Sequence, residues 1–146
     1  MKVLIINGSP RTGGNTDLAL REMEKVFTEE GVETKRLNIG TQSIRGCIAC
    51  GACSRTGKCT FDDVVNRAAD LLCECDGMVV GTPVYYASAN GTVISFLDRL
   101  FYSVPCDLTM KVGAAVAVAR RGGTSATFDE LNKYFTISGM PVASSQ

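Results

Sequence analysis

Residues 2–16, KVLIINGSPRTGGNT, join an uninterrupted apolar run to a segment rich in glycine. A continuous apolar run of this length is typical of a parallel strand that is buried on both faces of a sheet. The glycines predict a turn in which the backbone can come close to a ligand, and a helix begins near Asn15. The N-terminus of a helix at the carboxyl end of such a strand is a favourable place for a phosphate group.

The spacing within this turn indicates which phosphate ligand it suits. Gly8 and Gly13 are spaced as in a nucleoside-triphosphate loop, but Gly14 and Asn15 stand where that loop has Lys and Ser or Thr. The dinucleotide pattern G-x-G-x-x-G is also absent. We therefore predict a phosphomonoester site, with an ordinary strand-to-helix turn as the alternative. The predicted contacts are Ser9, Arg11, Gly14, Asn15 and Thr16.

The rest of the chain alternates apolar strands with amphipathic helices, which predicts an α/β fold with a doubly wound parallel sheet. The predicted strands cover 2–7, 32–38, 77–81, 111–119 and 140–143, and the predicted helices cover 15–30, 62–73, 90–102 and 125–135. Leu18, Met23, Val26 and Phe27 are expected on the inner side of the first helix, and Asn90 is expected to cap the third. The pattern predicts one domain over residues 1–146, with a cysteine-rich loop at about 41–60. The fifth strand is short and no final helix follows it, so we expect either a truncated last unit or an edge strand covered by a partner subunit.

The motif NGSPR-x-GGNT at residues 7–16 resembles the NADPH-dependent FMN reductase branch of the flavodoxin superfamily, and in particular the iron–sulfur flavoproteins and multimeric flavodoxins. The resemblance extends across the chain, at three loops and at the cysteine segment. It implies a flavodoxin-like fold, a doubly wound parallel sheet of order 2-1-3-4-5, and a bound FMN. It also implies a homo-dimer or homo-tetramer whose flavin sites lie near subunit interfaces.

Two further loops follow predicted strands, and the resemblance implies that both reach the isoalloxazine ring. Backbone groups of the first loop suit the polar edge of the ring, and one of its tyrosines suits the ring face. The alternatives are tyrosines that pack under a loop and a solvated turn that carries Arg120 and Arg121. The residues predicted to bind the cofactor here are Thr82, Pro83, Val84, Tyr85, Tyr86, Arg121, Gly122 and Gly123.

Cys47, Cys50, Cys53 and Cys59 form the pattern C-x₂-C-x₂-C-x₅-C in a segment that lacks helical periodicity. Closely spaced thiolates in an irregular loop can surround a cubane cluster. The pattern resembles the cysteine motif of iron–sulfur flavoproteins, which implies a [4Fe–4S] cluster. Zinc and bare or oxidised thiols are the alternatives, although zinc sites usually pair their cysteines in two separated groups. Cys73, Cys75 and Cys106 are interpreted as packing residues.

The composition excludes several catalytic groups and classes of binding partner. The chain has no histidine, which removes imidazole as a base or ligand. Lys+Arg and Asp+Glu are both 15, so the formal net charge is zero. A neutral chain without a basic tract is a poor partner for nucleic acid or an anionic membrane. Seven cysteines without a signal peptide predict a cytoplasmic redox or metal protein.

Together, these features predict an FMN-dependent oxidoreductase. NAD(P)H is the expected electron donor, and a quinone, a nitro compound or a redox protein is the expected acceptor, reached directly or through the cluster. We assign no catalytic side chain, since FMN carries the chemistry. A flavodoxin-type electron carrier and a redox-sensing FMN-binding protein are the alternatives.

Overall fold

The central strand β1 (Lys2–Asn7) carries apolar side chains on both of its faces. Val3 and Ile5 enter one core cluster, whereas Leu4 and Ile6 enter the other. All four are at most 8% exposed. This alternation requires layers of structure on both sides of the sheet, as the apolar sequence of the strand predicts.

The computed structural model describes residues 1–144. Its strands are β1 (Lys2–Asn7), β2 (Glu33–Asn38), β3 (Gly77–Tyr85), β4 (Ser88–Ala89) and β5 (Val112–Val118). Its helices are α1 (Asn15–Glu29), α2 (Ala52–Thr56), α3 (Val64–Cys73), α4 (Gly91–Ser103) and α5 (Thr124–Ile137). Within residues 1–144, no helix combines the length and the apolar character that crossing a membrane requires.

The sheet is parallel and runs β2-β1-β3-β5, with the short β4 antiparallel to the end of β3. Val142 forms a parallel bridge to Gly113 at the outer edge of β5, where the fifth strand is predicted. The predicted α/β fold and its strand order are therefore confirmed. Asn7 pairs with both Asn38 and Gly81, so β1 and β2 end at the same level, and β3 continues beyond it to Tyr85.

Helix α1 presents only part of the predicted face to the sheet, since Met23 and Phe27 pack against the core as expected. Leu18 and Val26 are 48% and 55% exposed, so the expectation that they face inward is wrong. Leu20 is fully buried instead, with Met23 and Phe27 packed beside it. Residues spaced three and four apart share a helix face, and 20, 23 and 27 form that set.

The segment after residue 81 is a hairpin and not the predicted loop. β3 continues to Tyr85, and Tyr85 pairs with Ser88 of β4. The two residues between them, Tyr86 and Ala87, have φ values of 53° and 60°. Positive φ at both central positions is the type I′ turn that joins antiparallel strands most tightly. Sequence reasoning missed it because neither residue is glycine or asparagine.

The helices are divided unequally between the two faces of the sheet. The larger core cluster joins α3, α4 and α5 to one face, and the smaller one joins α1 to the other. On the α1 face, Ala114 and Val116 of β5 are only partly buried. The doubly wound arrangement is thus fully covered on one side and partly covered on the other.

A disulfide links Cys73, at the end of α3, to Cys106, in the segment after α4. Their Cα atoms are 5.7 Å apart, because α3 and α4 pack on the same face and bring both positions together. The interpretation of these two cysteines as simple packing residues is therefore wrong. Cys75 is 1% exposed and does pack in the core, and its burial raises the pKa of its thiol.

Gly113 on β5 tests how closely α5 approaches the sheet. A Cβ at this position would lie 2.5 Å from Cγ of Phe135, which is fully buried. We expect Gly113→Ala to lower the free energy of unfolding by about 1–3 kcal/mol, since an overpacked core must shift. Urea unfolding of the FMN-free protein measures this change.

Gly91→Ala is the matched control. Its Cβ would meet no atom within 4 Å at the start of α4. Both substitutions reduce the freedom of the unfolded chain equally, so Gly91→Ala is expected to be neutral or stabilising. Equal stabilities of the two variants would contradict the close contact between Gly113 and Phe135.

Candidate functional site

The three predicted binding loops begin at one edge of the sheet, and hydrogen bonds join two of them. Gly8 N donates to the carbonyl of Gly81 at 2.8 Å. The side-chain nitrogen of Asn90 donates to the carbonyl of Gly8 at 2.6 Å, and its backbone N–H donates to Thr82 Oγ1 at 3.1 Å. Asn90 also accepts from Val93 N as the cap of α4, which confirms its predicted capping role. It therefore ties the loop after β1 to the end of β3.

The glycine-rich segment between β1 and α1, residues 8–14, is folded by its own hydrogen bonds. Ser9 N donates to Asn7 Oδ1 at 3.0 Å, and Arg11 N donates to Ser9 Oγ at 3.2 Å. Gly14 occupies the N-cap position of α1 and offers no side-chain acceptor. The first-turn amides of α1 are consequently not capped by a side chain, as an anion site at a helix N-terminus requires.

Asp17 supports the glycine-rich segment through hydrogen bonds. Its carboxylate accepts from Gly13 N at 2.8 Å and from Asn7 Nδ2 at 3.3 Å, although it is only 4% exposed. Arg36 and Arg21 form ion pairs with it. The hydrogen bond from Gly13, followed by the charges of Arg36 and Arg21, lowers the pKa of Asp17 despite its burial. Asp17 thus remains a carboxylate that supports the loop.

Gly40, after β2, lies against the same loop. A Cβ there would be 2.2 Å from the carbonyl carbon of Ser9 and 2.5 Å from Pro10 N. Neither of these backbone groups can yield without moving the loop. Only glycine fits this position while the loop keeps its shape.

The second and third loops contact each other. A Cβ on Gly123, whose φ is +97°, would lie 2.7 Å from Cα of Ala87 in the hairpin turn. Glu130 of α5 holds the hairpin, because its carboxylate accepts from Ser88 Oγ and from Ala89 N. Tyr86 at the tip is fully exposed and Tyr85 is half exposed, so both rings are accessible to a ligand.

The predicted cofactor residues fall into two groups in the structure. Those at the shared loop edge are Ser9, Gly14, Asn15, Thr16, Thr82, Pro83, Val84, Tyr85, Tyr86, Gly122 and Gly123. Thr16 and Thr82 are buried, and the Thr82 hydroxyl is engaged with Pro83 O and Asn90 N. Arg11 and Arg121 are exposed, and within residues 1–144 their side chains make no hydrogen bond or ion pair. Their contact with a cofactor stays a prediction.

The four clustered cysteines line one cavity of about 470 Å³. Cys47 and Cys50 are exposed, whereas Cys53, on the short helix α2, and Cys59 are half-buried. Phe61, Arg99 and Ser103 also contribute to the wall. Within the described residues, no three Cys, Asp or Glu side chains converge closely enough to form a metal-binding group. The four predicted ligands therefore line the same cavity, but in this structure they do not converge on one metal position.

Several functional positions escaped sequence reasoning. Asp17 carries a local signal, since it lies in the first turn of a helix. Asn90 is predicted as a cap, but its hydrogen bond to Gly8 is not. Gly40 and Arg99 carry none, because their roles depend on residues distant along the chain. Asn66 likewise holds Cys59 from the facing helix α3.

Comparison with known proteins identifies related chains. The profile of the NADPH-dependent FMN reductase family matches residues 1–146. An iron-sulfur flavoprotein of Methanocaldococcus jannaschii is 37% identical over 145 residues, which are 97% of this chain and 75% of that protein. An iron-sulfur flavoprotein of Methanosarcina thermophila is 33% identical over 146 residues, 97% of this chain and 76% of that protein. A solved flavodoxin from the domain Archaea aligns with a TM-score of 0.67 at 17% identity, over 99% of this chain and 80% of that chain, and shows the same fold.

Asp17→Asn tests the support of the glycine-rich loop. Because folding lowers the pKa of Asp17, its stabilising effect is present above the unfolded value of about 3.9 and is lost as pH falls through the lower folded value. We expect the FMN-free variant to lose about 1–3 kcal/mol at pH 7, with a smaller difference from wild type below about pH 4. Urea unfolding across this pH range measures both effects. Asp70→Asn, at an exposed position of α3, is the control, and equal losses in the two variants would contradict the role of Asp17.

Gly40→Ala tests the contact between β2 and the same loop. We expect the variant to fold but to bind FMN at least tenfold more weakly, about 1.4 kcal/mol, because the added Cβ displaces the backbone of Ser9 and Pro10. Titration of the FMN-free protein with FMN measures the Kd. Gly46→Ala is the control, since its Cβ would meet only Ser95 Oγ, at 3.9 Å. Unchanged affinity in Gly40→Ala would show that FMN does not depend on this loop.

Proposed function

The chain belongs to the NADPH-dependent FMN reductase family, and from this premise we propose that it oxidises NAD(P)H and passes the electrons to a quinone, a nitro compound or a redox protein. We further propose that a [4Fe–4S] cluster held by Cys47, Cys50, Cys53 and Cys59 takes part. The observation that carries the second proposal is the single cavity lined by all four thiols. Similarity to two iron-sulfur flavoproteins supports it.

The glycine-rich loop fits the phosphate of FMN. Its helix has no side chain at the cap to compete with a ligand, and Ser9, Asn15 and Arg11 bring polar groups to the same loop. The exposed rings of Tyr85 and Tyr86 fit the apolar face of a flavin. When bound, FMN supplies the electron-transfer chemistry, and the chain orients it and limits its contact with water.

The cysteine cavity fits an iron–sulfur cluster in the chemistry of its donors. Four cysteine thiolates are the usual ligand set of such a cluster. Ser103 adds a second indication, since its hydroxyl oxygen is buried and has no hydrogen-bond partner within the described residues. A group that accepts a hydrogen bond inside the cavity would satisfy it.

We also propose that the protein works as a homo-dimer or homo-tetramer in the cytoplasm. Tyr102 and Ile137 are 74% and 85% exposed and line a groove of about 440 Å³ between α4 and α5. Tyr102 also contributes to the cysteine cavity, so a second subunit on this groove would lie beside the thiols. Light scattering after size exclusion tests this proposal, and a clean monomer contradicts it.

Anaerobic purification of the wild-type chain tests the proposed cofactors. We expect one FMN and about four irons per chain, with NAD(P)H oxidation that depends on an added quinone. Cys50→Ser is expected to lose most of the iron and to keep FMN. Cys75→Ala is the control, because Cys75 is buried away from the cavity and the variant should keep both cofactors.

The possible results separate the parts of this proposal. FMN without iron in the wild-type chain would overturn the cluster and leave a plain FMN reductase. FMN without turnover of NAD(P)H would overturn the enzyme and favour an electron carrier. Iron that persists in Cys50→Ser but vanishes in Cys75→Ala would place the metal elsewhere.

A further inference from the structure

Arg99 is a cation buried inside the molecule, and it lies against the wall of the cysteine cavity. It belongs to α4, where its neighbours in the core are apolar, and it is 1% exposed. A buried guanidinium is unfavourable unless its N–H groups find acceptors. Arg99 has five such groups in a rigid planar fork. The acceptors of these N–H groups therefore identify the parts of the molecule that Arg99 holds in place.

All five donors of Arg99 have partners. Two of the hydrogen bonds, at 2.7 and 2.9 Å, run to the two carboxylate oxygens of Asp63 in a bidentate pair. Two more reach the backbone carbonyls of Arg45 and Phe61 at 3.3 and 3.4 Å. The fifth donor, Nε, reaches Cys59 Sγ at 3.3 Å. Arg99 therefore links α3 and both ends of the cysteine segment to a single sulfur.

Cys59 is held more firmly than the other three cysteines of the cavity. Its backbone N–H donates to Asn66 Oδ1 at 2.9 Å, and its carbonyl accepts from Asn66 Nδ2 at 3.0 Å. Arg99 fixes its sulfur from the other side. Cys47 and Cys50, by contrast, are exposed. Cys59 is thus a preorganised ligand, towards which the other cysteines can close.

Ser103 lies one helical turn beyond Arg99, so the two side chains share a face of α4. Both line the cysteine cavity. Ser103 is 3% exposed, and its Oγ has no hydrogen-bond partner within residues 1–144. A buried hydroxyl in a native structure is expected to be satisfied. This face of α4 therefore presents two donors to the cavity. Arg99 already donates to a sulfur, whereas the hydroxyl of Ser103 is not engaged.

We propose that Arg99 and Ser103 are positioning residues that donate hydrogen bonds to the sulfur atoms of an iron–thiolate centre in this cavity and raise its reduction potential. The inference rests on the proposed cluster. A reduced cluster carries one more negative charge than the oxidised one, and donors at its sulfurs stabilise the more negative state. A buried cation in contact with Cys59 acts in the same direction, while Asp63 keeps the guanidinium in place.

Redox titration of the anaerobically purified full-length chain tests the inference. Dithionite is the reductant, electron paramagnetic resonance follows the cluster, and visible absorption follows FMN in the same sample. Ser103→Ala removes only the hydroxyl, and Arg99→Lys keeps the charge but loses the fork. We expect both variants to disfavour the reduced cluster about tenfold, a fall in midpoint potential of about 59 mV for one electron. The midpoint of FMN should not move.

Ser95→Ala is the control, because Ser95 lies on the same helix but outside the residues that line the cavity in the described part of the chain. Its cluster midpoint should equal that of wild type. Ser103→Ala decides the question by itself if Arg99→Lys does not fold. Wild-type protein that carries a cluster, with the same midpoint in Ser103→Ala, would overturn this inference alone. Wild-type protein with FMN but without iron would instead overturn the cluster itself, and this inference with it.

Discussion

The parallel pairing of β1 with β3 is the constraint on which the candidate site depends. Asn7 lies opposite Gly81 in this register, so the loop after β1 begins beside the part of β3 that continues to Tyr85. The loops that follow then meet directly, and Gly8 and Asn90 join them through their backbone and side-chain hydrogen bonds. A shift of one residue would reverse the faces of β1 and separate the loops. The buried apolar residues on both faces of β1 prevent that shift.

A second organising interaction involves α4. Arg99 and Asp63 form an ion pair between α4 and the cap of α3, and the same guanidinium binds the carbonyls of Arg45 and Phe61, at the two ends of the cysteine segment. Breaking such a buried pair by removing one partner typically costs about 3–5 kcal/mol. Of the four clustered cysteines only Cys53 lies in regular secondary structure, so this segment depends on contacts such as those of Arg99 and Asn66 for its order.

The sequence predicts those parts of the molecule that local patterns determine. The apolar run of β1, the cap at Asn90 and the succession of the main strands along the chain all follow from signals within a few residues of each element. The hairpin at Tyr86 is missed, because a type I′ turn without glycine or asparagine has no local signature. The predicted face of α1 is right for Met23 and Phe27 and wrong for Leu18 and Val26, because the apolar residues of this helix allow more than one stripe. The disulfide between Cys73 and Cys106, and the partners of Arg99 and Gly40, depend on distances that only the folded chain defines.

The complete pairing of the Arg99 guanidinium also restricts how this protein can change during evolution. A chain that lost the carboxylate at position 63 would leave a buried cation without its counter-ion, and a chain that lost Arg99 would leave two carbonyls and a sulfur without donors. Neither single step is tolerated easily, because an unpaired buried charge is far more costly than an absent pair. Positions 63 and 99 are therefore expected to vary together among descendants of this sequence. A paired apolar replacement would remove the unpaired charge, but it would also remove the cap of α3 and leave the sulfur of Cys59 without its cation.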